Sequence, residues 1–295
     1  MAATLIDGKK VSDEIKAELK ARIENLRHCD VIPGLAAVLI GNNPASETYV
    51  SSKAKACDKI GIYSEVIRRE AVATQDELSD IIRELNRRSD IDGILVQSPL
   101  PEHIDELAVT LLISPEKDVD GFHPFNVGML LLGRPLFRSC TPYGVMELLR
   151  RYDIDTAGKE VVILGRSNIV GKPLAAMLVQ KEKFANATVT ICHSRTANIK
   201  EVCRRADILI AAMGQAEFVK ADMIKDGAVV IDVGINRMPD LSSEKRYKLV
   251  GDVDFVACRN KASFITPVPG GVGPMTIAML LTNTVLSAER RLAGA

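Results

Sequence analysis

Tyr49 and Lys53 stand four residues apart in the segment Pro44-Ala-Ser-Glu-Thr-Tyr-Val-Ser-Ser-Lys53. On a helix that separation puts a ring and an amine on one face, so both can border one cleft. A lysine amine in such a cleft can carry a proton to or from a reacting group. Val96, Gln97, Pro99, Leu100 and Pro101 close an apolar strand, and the carboxyl ends of parallel strands are where such sheets open a ligand crevice. Lys117-Asp118-Val119-Asp120-Gly121-Phe122-His123 is a loop crowded with carboxylates. Each segment also has a plainer reading. Tyr–Lys pairs occur on solvated helices, prolines end strands, and aspartates close turns. Taken alone, the three define a cleft and not a reaction.

A second signal lies at Val161-Val-Ile-Leu-Gly165-Arg166-Ser167-Asn-Ile-Val170-Gly171-Lys-Pro173. The pattern runs from a strand through a glycine-bounded loop into a helix. Gly165 permits the tight turn, and Gly171 lets the helix start lie close to the strand. The helix N-terminus then offers backbone N–H groups and a positive dipole end to a pyrophosphate. Pro173 suits the first turn, where a missing N–H is not needed. Serine replaces the middle glycine of the usual G-x-G-x-x-G, and its hydroxyl can itself donate to phosphate. The next strand ends in His193-Ser194-Arg195-Thr196 without a carboxylate. An acidic residue there binds the ribose diol of NAD, so its absence, with Arg166 and Arg195 at hand, points to NADP. The alternative is a turn that only packs strand on helix, with Arg195 a solvated strand end.

These residues need elements to position them. Apolar residues recur every three or four positions through 11–28, predicting an amphipathic helix. A short apolar run at 34–41 predicts a buried strand, followed by a helix at 46–60 and a strand at 63–70. Thr74 and Glu77 have capping-box spacing ahead of a further helix, and 92–97 is a third strand. The pattern restarts after Cys140 with a helix at 141–150 and strands at 160–164, 188–192, 208–212, 229–233 and 264–266. Helices are expected at 172–180, 198–204 and 275–290. Strands alternating with helices make an α/β protein with parallel sheets. The 295 residues leave room for two domains.

Composition excludes several partners. Lysine plus arginine equals aspartate plus glutamate at 38 each, so no general field holds nucleic acid or an anionic membrane. The six cysteines include no C-x-x-C pair, and no metal site is expected. No apolar run approaches the length of a membrane span and no secretory leader is evident, so the expected location is cytoplasmic.

Five segments appear together in order: Pro44-Ala45-Ser46-x-x-Tyr49-Val50-x-x-Lys53, Val96-Gln97-x-Pro99-Leu100-Pro101, Lys117-Asp118-Val119-Asp120-Gly121-Phe122, Gly165-Arg166-Ser167-x-x-Val170-Gly171-x-Pro173, and Thr266-Pro-Val-Pro-Gly270-Gly271-Val-Gly-Pro-Met-Thr276. With them the chain resembles the bifunctional methylenetetrahydrofolate dehydrogenase/methenyltetrahydrofolate cyclohydrolase family along essentially its whole length. The resemblance implies a catalytic, folate-binding domain over 1–140, completed by a C-terminal helix at 276–295. A doubly wound, Rossmann-type NADP-binding domain over 141–275 is implied beside it, with a cleft between the two. It further implies a homodimer, tetrahydrofolate derivatives as substrate and a place in purine biosynthesis.

By matching position, Lys53 is the catalytic amine, held by Gln97, while Tyr49 stacks along the folate and Asp120 hydrogen-bonds the pterin. Val96, Pro99, Leu100, Pro269, Gly270 and Gly271 complete the substrate site. Gly165, Arg166, Ser167, Val170, Gly171, Pro173, His193, Ser194, Arg195, Thr196, Gly234 and Ile235 are assigned to the cofactor. One departure is Ser98, where the family usually carries leucine, which implies a looser apolar contact with the folate. The competing readings are another two-domain NADP-dependent dehydrogenase, and a folate-binding relative without turnover.

Overall fold

The structure is a computed structural model, and it describes residues 2–240 and 246–294. The chain forms two compact units. One, the lysine unit, comprises residues 13–140 and 277–295; the other, the glycine-loop unit, comprises 1–12 and 141–276. In chain order the first elements are β1 (Thr4–Leu5), α1 (Gly8–Arg27), β2 (Gly34–Ile40), α2 (Pro44–Ile60), β3 (Tyr63–Arg69), α3 (Gln75–Arg87) and β4 (Gly93–Val96). Short helices α4 (Glu106–Leu112) and α5 (Pro124–Leu131) follow, then α6 (Cys140–Arg151). The remainder is β5 (Glu160–Leu164), α7 (Gly171–Leu178), β6 (Thr188–Cys192), α8 (Ile199–Arg205), β7 (Ile208–Ala211), β8 (Val229–Asp232), β9 (Asn236–Pro239), β10 (Tyr247–Val250), α9 (Phe255–Arg259), β11 (Phe264–Ile265) and α10 (Val272–Ala293).

In the lysine unit a parallel sheet has the order β3-β2-β4. All seven residues of β2 are buried, as expected of a central strand covered on both faces. Leu78, Ile82 and Leu85 of α3 recur at four and three and lie against β2 and β4. Full burial of each such side chain stabilises by roughly 1.5–3 kcal/mol. Thr74 and Glu77 close the capping box, each accepting from the other's backbone N–H. Helix α2 begins two residues earlier than the periodicity predicts, because Asn43 accepts from the Ala45 and Ser46 N–H groups and Pro44 opens the first turn.

The glycine-loop unit holds a six-stranded parallel sheet in the order β1-β11-β8-β7-β5-β6. The chain enters at β5, moves outward to β6, then returns to the other side of β5 at β7. That reversal makes the sheet doubly wound, with its switch point between β5 and β7. β7 and β8 are buried at every residue. The sequence assigned residues 1–12 to the catalytic part, whereas they fall in this unit because β1 pairs with β11 and adds an edge strand. Two residues are too few to read as a strand from periodicity. The β9–β10 ribbon and helices α4, α5 and α9 were likewise not expected from the pattern.

Candidate active site

Helix α2 carries Lys53 inward and Tyr49 outward: Lys53 is 8% exposed and Tyr49 43%. The Lys53 Nζ donates to Gln97 Oε1 at 3.1 Å. Gln97 follows β4, and its backbone N–H continues the ladder to the Val38 carbonyl. Its Nε2 donates to the Ser98 carbonyl at 2.6 Å, which turns the amide oxygen toward the lysine. Burial raises the Asp120 carboxyl above its ordinary range, while the Lys53 charge and the Cys140 thiol oppose the rise. Burial also pushes the Cys140 thiol well above its ordinary value, and the Asp120 charge adds to it. Lysine, amide, carboxylate and thiol thus form one cluster within the lysine unit. Val96 and Leu100 pack on the core of this unit, with Pro99 exposed beside them.

The loop that carries Asp120 is built by its neighbours. Asp118 accepts from the Phe122 and His123 N–H groups and from Asn126 Nδ2, at 3.2, 2.8 and 2.7 Å. Burial holds its carboxyl up at about 6 despite those donors. Lys117 donates to the Leu85 and Arg88 carbonyls and so caps α3. From α10, Asn283 donates to the Val119 and Arg138 carbonyls at 2.7 and 3.0 Å, and Ser287 donates to the Glu116 carbonyl. Arg291 grips Asp92 at 2.7 and 3.2 Å, and Asp92 also accepts from the Gly34 N–H. The C-terminal helix is therefore part of the frame of this site.

In the other unit Gly165 ends β5 with φ +121°, and a Cβ there would sit 2.2 Å from the Ala212 carbonyl oxygen at the end of β7. A Cβ on Gly171 would meet the Gly165 oxygen at 2.1 Å. Only glycine fits either place, and the pair draws loop and helix start onto the switch point. One expectation changes. The first N–H groups of α7 are not open, because Ser167 accepts from Val170 and Gly171 through its hydroxyl and from Lys172 through its carbonyl. Serine at the usual glycine position folds the loop against the helix start, whose N-cap is Val170. The exposed groups left to meet an anion are the Arg166 side chain and the Ser167 hydroxyl, while Pro173 is buried within α7. After β6, the His193 N–H donates to Thr196 Oγ1 and the Arg195 N–H to His193 Nδ1, so the segment is a tight turn with Ser194 and Arg195 exposed. Among the described residues neither Arg166 nor Arg195 has a carboxylate partner.

Gly234 and Ile235 line a pocket of about 190 Å³ together with Pro269, Gly270 and Gly271. The structure thus joins two residues assigned to the cofactor with three assigned to the substrate, all within the glycine-loop unit. Four groups were missed. Cys140 and Asn283 reach the Asp120 loop from distant positions, and no spacing signals that. Asp232, the last residue of β8, and Asp252, just after β10, are buried carboxylates. Burial raises Asp232 to about 7, with the Asp252 charge adding to it against three backbone donors. A carboxylate ending an apolar strand was the available signal.

A doubly wound sheet with a glycine-bounded loop at its switch point, joined to a unit bearing a buried lysine–amide–carboxylate cluster, defines a dinucleotide-using α/β enzyme. Family models described as tetrahydrofolate dehydrogenase/cyclohydrolase match the chain twice, the catalytic domain over residues 6–120 and the NAD(P)-binding domain over 139–292. The bifunctional protein FolD of Chloroherpeton thalassium is 58% identical over 292 residues, covering 98% of this chain and 99% of its own. A crystal structure of the bifunctional FolD enzyme from Campylobacter jejuni superposes with a TM-score of 0.93 at 51% identity, covering 98% of this chain and 100% of that one. The Trypanosoma brucei enzyme, solved with NADP cofactor and inhibitor, gives a TM-score of 0.94 at 41% identity, covering 99% of each chain. The chain belongs to the tetrahydrofolate dehydrogenase/cyclohydrolase family, which removes an unrelated two-domain dehydrogenase from consideration.

Proposed function

We propose that the chain oxidises 5,10-methylenetetrahydrofolate with NADP to 5,10-methenyltetrahydrofolate, then hydrolyses that product to 10-formyltetrahydrofolate. The observation that carries this reading is the buried Lys53 amine on Gln97 Oε1 beside a raised Asp120 carboxyl. Such a cluster suits an uncharged-to-cationic substrate from which protons must be moved. In the first step the two folate nitrogens stabilise the cation left by hydride loss, so no strong base is needed and positioning dominates. The bound nicotinamide supplies a hydride acceptor. In the second step water attacks the methenyl carbon and a ring nitrogen is released. Lys53 spends one N–H on Gln97, and its remaining hydrogens are available to pass a proton. Asp120 faces the pterin N–H donors, and the Lys53 charge opposes the rise that burial imposes on its carboxyl. Tyr49, exposed one turn before Lys53, offers a face on which the folate stacks.

The residues fit NADP. Gly165 and Gly171 permit a close backbone approach, Ser167 and Arg166 are exposed on the loop, and the 193–196 turn has no carboxylate to repel a 2′-phosphate. His193, Ser194, Arg195 and Thr196 would border that phosphate, with Gly234 and Ile235 further along the site. The enzyme acts as a homodimer in the cytoplasm and supplies formyl groups for purine biosynthesis, a reading supported by the family and by the absence, among the described residues, of any helix long and apolar enough to cross a membrane. Light scattering at micromolar concentration checks the dimer. The test of the activity is absorbance during incubation with methylenetetrahydrofolate and NADP, in which NADPH rises and the methenyl band decays to formyl product. A protein that forms neither compound overturns the proposal.

A further inference from the structure

The loops after β7 and β8 enclose two carboxylates with no role in the scheme above. Asp252 is fully buried, and its Oδ2 accepts from the Met213 and Gly214 N–H groups at 2.6 and 2.9 Å. Its Oδ1 accepts from Asn236 Nδ2 at 2.9 Å. Asp232 accepts from the Gly234 N–H at 3.0 Å and from the Asp252 and Val253 N–H groups at 2.9 Å each. A Cβ on Gly234 would lie 2.2 Å from Asp252 Oδ1, so only glycine at 234 leaves room for this carboxylate. Met213 and Gly214 follow Ala212, whose carbonyl abuts Gly165 at the switch point, and Gly214 is exposed. They therefore stand beside the Gly165 loop at the switch point.

We infer that Asp252 is a positioning residue for the dinucleotide, tying the loop at Met213 and Gly214 beside the switch point to the segment 234–236, whose first two residues line the adjoining pocket. This rests on the reading of this unit as the NADP site. The chemistry explains why a carboxylate stands there. Two backbone N–H groups and an amide converge on one buried side chain, and without that acceptor the loop at Met213 and Gly214 loses the group that fixes its position. The two carboxylates differ in what can replace them. Asp252 meets one amide, Asn236, which can rotate to present its oxygen, so asparagine at 252 keeps every bond. All three donors to Asp232 are backbone N–H groups, so asparagine there sets donor against donor.

The experiment follows both activities in the purified enzyme and in Asp252→Ala and Asp252→Asn. The native protein must first bind NADP and reduce it; failure there overturns the NADP site itself, separately from the role of Asp252. Asp252→Ala is expected to raise the KM for NADP about tenfold, from loss of the shared acceptor that holds the Met213 and Gly214 N–H groups, and to lower the dehydrogenase kcat. Its hydrolysis of methenyltetrahydrofolate, performed by residues of the lysine unit, stays within twofold. Asp252→Asn restores the native KM. A folded Asp252→Ala with an unchanged KM, or with both activities reduced in parallel, overturns the inference. Should that variant not fold, Asn236→Ala cuts the tie between the same carboxylate and the 234–236 segment: a selective rise in the KM for NADP supports the inference, and loss of both activities or of neither overturns it.

Discussion

The lysine unit and the glycine-loop unit hold their ligand-facing groups by opposite means. Around Lys53 the working groups are side chains, each oriented by another: Gln97 by the Ser98 carbonyl, and the Asp120 loop by Asn283 and Asp118. At the switch point the working surface is backbone, shaped by Gly165 and Gly171 and held by the Ser167 hydroxyl on the Val170 N–H. Carboxylates there lie beneath the surface and hold loops. The contrast separates two kinds of vulnerability. Removing a terminal group in the lysine unit deletes a chemical step and leaves the fold. Adding a methyl group in the glycine-loop unit deforms the fold and leaves the chemistry nowhere to occur.

Lys53→Met is the largest expected effect and the most direct challenge to that contrast. It keeps length and apolar bulk but removes the amine. Hydrolysis of methenyltetrahydrofolate is expected to fall by roughly 10²-fold or more, as for a lost general acid–base group. Dehydrogenase activity falls less, so the methenyl compound accumulates and its absorbance reports it. A folded variant that hydrolyses at the native rate removes Lys53 from the mechanism.

Gly165→Ala tests the backbone side. A left-handed φ and a carbonyl at 2.2 Å leave the new methyl no room. A destabilisation of about 2–4 kcal/mol is expected, read as a lower urea midpoint in hydrogen exchange of residues 141–276, with exchange in 13–140 little changed. Equal loss in both regions would break the comparison.

Arg166→Ala is a smaller, local change. The exposed guanidinium at the loop is expected to contribute about tenfold to the affinity for NADP through a charge-assisted phosphate contact, and little to NAD. Native enzyme using both cofactors equally well would show that neither Arg166 nor the carboxylate-free 193–196 turn sets the choice.

A graded effect, spread over several pH units and involving no substitution, is that of pH on stability, with one carboxyl from each unit. Asp118 sits at about 6 and Asp232 at about 7, both raised by burial from 3.8. Above pH 4 the unfolded chain ionises these groups while the folded chain keeps them protonated. The unfolded state then binds fewer protons, and stability declines as pH rises, up to about 6 in the lysine unit and about 7 in the glycine-loop unit. Urea midpoints for the two regions should therefore fall with rising pH over successive windows. Midpoints that climb instead would mean that the backbone donors outweigh burial and keep both groups ionised.

Much of this protein was legible without coordinates. The 3.6-residue period of α1 and α3, the capping box at Thr74 and the apolar strands β2, β5, β7 and β8 follow from local rules of side-chain direction and hydrogen bonding. The glycine-bounded loop after β5 and the Tyr49–Lys53 spacing were equally local. What the sequence could not determine was everything set by partners far along the chain. One local choice stayed open as well, because a serine in a glycine-rich loop serves a phosphate as readily as the Val170 N–H that Ser167 meets. Asp252 lies 38 and 39 residues from the N–H groups it receives, and Asn283 lies 164 from the Val119 carbonyl. The pairing of β1 with β11 spans most of the chain and rests on two residues each. A buried donor or acceptor takes whichever partner the packed structure brings within 3 Å or so, and only the tertiary fold decides which one that is.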